Sequence, residues 1–95
     1  MRGRDLIAWN LRKLRVAAGI SQENLAVDAG LDRTYVFRLE RGTDNPTVDV
    51  LDKLALSLHV PVAAFLAEPA AGETPPQPLR SGRRPSRATS AAAKP

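Results

Sequence analysis

Apolar residues fall on a helical period through the first two thirds of the chain. Leu6, Ile7, Leu11, Leu14 and Ala18 recur at steps of three and four, which places them on one face of a first helix. Ser21 offers a hydroxyl to cap a second, short helix whose inward positions are Leu25, Ala26 and Ala29. Gly30 follows where a left-handed turn residue is needed. Asp32 is another good cap, opening a third helix with Val36 and Leu39 inward and Gly42 closing it. After Asn45-Pro46 a fourth helix starts at Thr47 and carries Val48, Leu51, Leu54, Ala55 and Leu58. Pro61 suits the first turn of a fifth, which ends in Phe65 and Leu66. No segment alternates with period two over a useful length, so the expected fold is all-α, with five short helices.

The pattern stops near Glu68. From there to Pro95 the chain has six prolines, two glycines, many Ala and Ser, and Leu79 as its single large apolar group. Such a segment cannot bury enough surface to offset its ordering entropy. The expected organisation is one domain over residues 1–67 and a disordered Pro/Ala/Arg-rich tail over 68–95.

Composition narrows the chemistry. With 95 residues, a second domain for sensing a ligand or running a reaction is not expected. There is no cysteine, which excludes disulfides and thiolate metal sites, and His59 is the one histidine. No metal and no cofactor are expected. The apolar run around Val60–Ala67 is far too short to cross a bilayer, and Met-Arg-Gly-Arg-Asp opens no secretory signal, so a cytoplasmic protein is expected. The net charge of +4 divides unevenly: nine Lys/Arg against eight acids leave +1 over residues 1–67, and the tail carries +3. Bulk charge is therefore a poor argument for nucleic-acid binding by the folded part; the placement of its charges has to carry that case.

Helices two and three are joined by Ala29-Gly30-Leu31 alone, a link too short for antiparallel stacking. Two helices crossing steeply across such a link form a helix-turn-helix, over residues 21–41 here, whose second helix can enter a major groove. In these residues the chain resembles the lambda-repressor/Cro-like family, also called the XRE family. The likeness covers roughly residues 4–67, with its core in SQENLAVDAGLDRTYVFRLERGTDNPTVDVLDKLALSL, residues 21–58. It implies a lambda-repressor-like domain, a sequence-specific regulator binding double-stranded DNA as a homodimer, and no enzymatic activity.

Site residues follow by position. Val36 and Leu39 face inward, so Arg33, Thr34, Phe37 and Arg38 point outward and are the candidates to read base edges. Arginine can hold guanine O6 and N7 with two hydrogen bonds, and threonine can donate, accept or touch a thymine methyl. Phe37 departs from relatives, which are usually small or polar there; it packs on a thymine methyl or sugar, or else belongs to a protein interface. The resemblance places Gln22 at a phosphate, beside the N-terminus of the second helix, and Arg41, Thr43 and Asn45 in a loop that contacts the backbone. Tyr35 either reaches a phosphate through its hydroxyl or packs at the helix edge. The same resemblance pairs Glu40 with Arg15 in a structural ion pair, locking the third helix onto the first. Val62, Phe65 and Leu66 are either core or a two-fold contact. Trp9 is a partly exposed packing residue, and His59 replaces a glycine common at the end of the fourth helix.

In the tail, Arg80, Arg83, Arg84, Arg87 and Lys94 either add non-specific phosphate attraction or form a solvating end. A competing function keeps the same fold and uses Phe37, Trp9 and the tail to hold a protein partner. No paired carboxylates, nucleophile–base set or phosphate-cradling glycine loop suggests chemistry on a small-molecule substrate.

Overall fold

A computed structural model describes residues 2–73. Four α-helices make up the body: α1 (Gly3–Ala17), α2 (Gln22–Ala29), α3 (Arg33–Glu40) and α4 (Val48–Leu58). The expected fifth helix is a 3-10 helix, Val62–Leu66. Pro61 presets its start, but five residues before the extended Ala67 are too few for α-helical pairing to develop.

Each α-helix from α2 onward begins on a side-chain cap. The Ser21 hydroxyl accepts from the Asn24 N–H at 3.0 Å, the Asp32 carboxylate from Thr34 at 2.7 Å, and the Thr47 hydroxyl from Val50 at 3.1 Å. Thr47 is thus the cap of α4 and not its first helical residue. Gly30 turns the chain between α2 and α3 at φ +69°, and the Leu31 N–H closes that turn on the Ala26 carbonyl at 2.8 Å. His59 takes the left-handed position that ends α4, at φ 58°, where a side chain costs about 1–2 kcal/mol. His59 is exposed.

The inward faces meet in one core. Leu11, Leu25, Val36, Leu54 and Phe65 are each fully buried, one from every element. α1 packs against α3 and the 3-10 helix, while α2 packs against α3 and α4. Ala18 lies outside this core; α1 ends at Ala17, and Ala18 is an exposed cap. Phe65 is 0% exposed, so it anchors the 3-10 helix within the monomer and is not available for a two-fold contact. Burying that ring contributes about 2 kcal/mol.

Asn10, a polar residue that the apolar pattern passes over, is also buried. Its Nδ2 donates to the carbonyls of Phe65 at 2.9 Å and Ala67 at 2.8 Å, tying the end of the domain to the middle of α1. The chain does not leave the domain at Ala67. Residues 70–73 form a turn in which the Glu73 carboxylate accepts from the Ala70 N–H, and that carboxylate pairs with Lys13 on α1. The Lys13 ammonium, and after it the Ala70 N–H, hold the Glu73 carboxyl below its ordinary value. This start of the expected tail therefore has a defined place on α1. Arg80, Arg83, Arg84, Arg87 and Lys94 lie outside the described residues.

Candidate nucleic-acid interface

The site is built from the underside of α3. Val36 and Leu39 are 0% and 1% exposed, and Glu40 is buried with them, so three residues fix one face of an eight-residue helix. Arg15 of α1 meets Glu40 in a two-pronged pair, Nε to Oε2 at 2.5 Å and Nη2 to Oε1 at 3.0 Å. A third donor of the same guanidinium, Nη1, binds the Ile20 carbonyl at 2.9 Å, in the link between α1 and α2. The pair thus ties α3 to α1 and to the start of α2. Arg12 adds a further cation 3.7 Å from Glu40.

Gln22, expected at a phosphate, has a partner within the domain. Its Nε2 donates to Glu40 Oε1 at 3.0 Å, so the amide that the sequence assigned to a phosphate is held by the ion pair. The cause is the short α1–α2 link, which brings the first residue of α2 beside the end of α3.

The opposite face of α3 looks outward. Arg33, Thr34 and Arg38 are exposed, and Tyr35 and Phe37 are half-buried. The Arg33 guanidinium lies over the Phe37 ring, 5.8 Å from its centroid, and Arg38 lies at the same distance over Tyr35. Each aromatic therefore serves as a platform for an arginine one turn or less away. Arg33 is 3.9 Å from Glu23, with both side chains well exposed, a pair that contributes little. Arg38 is held more firmly: its Nε donates to Asp44 Oδ2 at 2.9 Å.

The exit from α3 continues this surface. Arg41 and Asn45 are exposed, and the Thr43 hydroxyl donates to the Arg38 carbonyl at 3.1 Å. Gly42 makes the bend at φ +75°; a Cβ there would meet Asp5 Oδ1 of α1 at 3.2 Å, so the bend lies close against the first helix. On that side Trp9 is half-buried, and its indole N–H has no hydrogen-bond partner among the described residues. At the other end of the domain Val62 is half-buried, while Leu66 and Leu56 are 51% and 78% exposed.

Arg33, Thr34, Phe37, Arg38 and Arg41 are thus gathered on α3 and its exit. Val62 and Leu66 lie apart from them, on the 3-10 helix. Sequence reasoning missed Asp44 and Glu23 as the acids beside the two outward arginines, and Arg12 and Gln22 as partners of Glu40. The six-residue separation of Arg38 and Asp44 carries no helical signal; only the tight turn at Gly42 brings them together.

The family model described as Helix-turn-helix (HTH_3) matches residues 11–65. A hypothetical transcription factor of Neisseria meningitidis serogroup B is 42% identical over 66 residues; that stretch is 70% of this chain but 62% of the relative. The restriction–modification controller protein C.AhdI of Aeromonas hydrophila superposes with a TM-score of 0.64 at 40% identity, covering 65% of this chain and 94% of that one. The controller protein C.Esp1396I, solved as a tetramer on its natural 35-base-pair operator, gives 0.63 at 31% identity, covering 68% and 86%. More than half of the chain lies within the family match, and all of α2 and α3 lie inside it. The chain belongs to the helix-turn-helix family, in the lambda-repressor/Cro-like (XRE) type that its residues resemble.

Proposed function

We propose that this chain is a DNA-binding transcription regulator, without enzymatic activity, that reads a two-fold operator as a homodimer through α3 in the major groove. One observation carries the reading. α3 is fixed from beneath by Val36, Leu39 and the Arg15–Glu40 pair, while Arg33, Thr34 and Arg38 are exposed above it. A helix held this rigidly presents its outer side chains to a groove in a defined register.

In this reading Arg33, Thr34, Phe37 and Arg38 meet base edges, and Arg41, Thr43, Asn45 and Tyr35 meet the phosphate backbone. Gln22 contributes from the N-terminus of α2, its amide shared between Glu40 and a phosphate oxygen. A helix of eight residues spans too few base pairs for high affinity, which favours two copies on half-sites about one helical turn apart. Leu66 and Val62, with the exposed Leu56 of α4, form the two-fold contact. The operator complex of C.Esp1396I, a tetramer on its 35-base-pair operator, supports operator binding by several copies by analogy.

The test is selection of binding sites from random duplex DNA, run with the unmodified chain and with Arg33→Ala and Arg38→Ala. The expected result is a two-fold symmetric motif that loses information at particular base pairs in each variant. Weak, salt-sensitive binding with no enriched motif overturns the reading.

A further inference from the structure

The two outward arginines of α3 are not held alike. Arg33 touches its nearest acid only at 3.9 Å, and its side chain is 62% exposed. Both guanidiniums lie over an aromatic ring, Arg33 over Phe37 and Arg38 over Tyr35, but Arg38 is also bounded on a second side, its Nε bonded to Asp44 at 2.9 Å. The turn after α3 puts Asp44 there. Both the N–H and the hydroxyl of Thr43 bind the Arg38 carbonyl, at 3.2 and 3.1 Å, folding the chain back along the last turn of the helix. Gly42 supplies the left-handed residue that this return requires. Asp44 itself is only 23% exposed, so its carboxylate is a fixed acceptor.

We infer that Asp44 is a positioning residue for base reading: it occupies Nε of Arg38 and so presents the two Nη groups, in one orientation, to a guanine. The inference rests on the DNA-reading function above and assigns a residue that the sequence pattern did not mark. A free arginine must give up most of its rotamer freedom to make a bidentate contact. With Nε tethered and one face against Tyr35, much of that freedom is already lost before binding, and the end that remains carries four N–H donors in the fork geometry that matches O6 and N7. Among the described residues, Arg38 makes no other side-chain hydrogen bond, so those donors are unspent.

Asp44 also has an electrostatic effect of opposite sign. A carboxylate beside a DNA-facing helix repels phosphate, and deleting it strengthens general attraction to any duplex. Removing Asp44 therefore moves two measurable quantities in opposite directions, which separates positioning from simple charge.

The experiment is the same selection from random duplexes, extended to Asp44→Ala and Asp44→Asn, with affinities for the selected site and for an unrelated duplex. Arg38→Ala locates the guanine that Arg38 reads. Asp44→Ala is expected to bind the unrelated duplex as well as or better than the unmodified chain. It should lose about tenfold in preference for guanine at the Arg38 position, a factor equivalent to about 1.4 kcal/mol. Asp44→Asn keeps an oxygen to accept from Nε while losing the charge, so it should gain the same general affinity and keep most of the guanine preference. Thermal melting of each variant excludes a folding defect as the cause. If Asp44→Ala retains the full preference, or loses it equally at every base pair, the inference is wrong although the regulator reading stands. Failure of the unmodified chain to enrich any motif overturns that reading itself.

Discussion

Replacing Glu40 by alanine strips a buried arginine of its counterion. The Arg15 side chain is 3% exposed, so water does not take the carboxylate's place. Of the guanidinium's contacts, the Nη1 bond to the Ile20 carbonyl remains, while the bonds at 2.5 and 3.0 Å to the carboxylate are lost. The Gln22 amide loses its acceptor as well. Hydrogen bonds to a charged group contribute about 1.5–3 kcal/mol each, and breaking one side of a buried pair costs about 3–5 kcal/mol. A small domain has about 5–15 kcal/mol of stability in total, so Glu40→Ala removes a large share of it. Urea unfolding followed by helical circular dichroism measures the loss. Substituting both partners, as Arg15→Met with Glu40→Leu, removes the buried guanidinium with its counterion and leaves only the part-exposed Arg12 and the Gln22 amide without their acceptor, so it is expected to recover part of the loss. A loss below about 1 kcal/mol for Glu40→Ala is what an exposed pair would give, and it would falsify the buried-pair account.

Three further outcomes follow from the same geometry. Asn10→Ala leaves the Phe65 and Ala67 carbonyls without their donor; it should cost about 1–3 kcal/mol and speed amide exchange across 62–67 more than in α2. His59→Gly relieves a left-handed side chain but adds backbone freedom to the unfolded chain, so a net gain of about 0.5 kcal/mol is expected in thermal unfolding, and a loss would mean the imidazole makes a contact of its own. The Glu73 carboxyl should titrate below 4.5 by NMR and return towards 4.5 in Lys13→Gln. Because its folded value is the depressed one, the Glu73–Lys13 contact supports the fold above 4.5 and is lost as pH falls through that lower value.

Most of the architecture was legible because local rules and the global fold agree. Ser21, Asp32 and Thr47 are capping residues by type, and each caps the helix that follows it. The three- and four-residue steps placed Leu11, Leu25, Val36 and Leu54 inward, and all four are buried. Where reading by pattern falls short, the reason in most cases is a contact between residues distant in sequence. Phe65 looked equally suited to a two-fold contact because its burial depends on α1 lying beneath it. Asn10 bears no apolar signal, and its role exists only because Phe65 and Ala67 pass over it, 55 and 57 residues away. The fifth helix failed as an α-helix because periodicity cannot distinguish one 3-10 turn from one α turn over five residues. Gln22 is read at a phosphate from its position in the motif; its bond to Glu40, 18 residues away, leaves no signal in the pattern.

The most direct test of the central claim is a crystal structure of the chain on the duplex recovered by selection. The account predicts two copies related by a dyad, with α3 of each in successive major grooves about 34 Å apart. It also predicts the Nη groups of Arg38 on a guanine, with Nε still bonded to Asp44. A complex in which the duplex lies against another face, leaving Arg33, Thr34 and Arg38 in solvent, would contradict it.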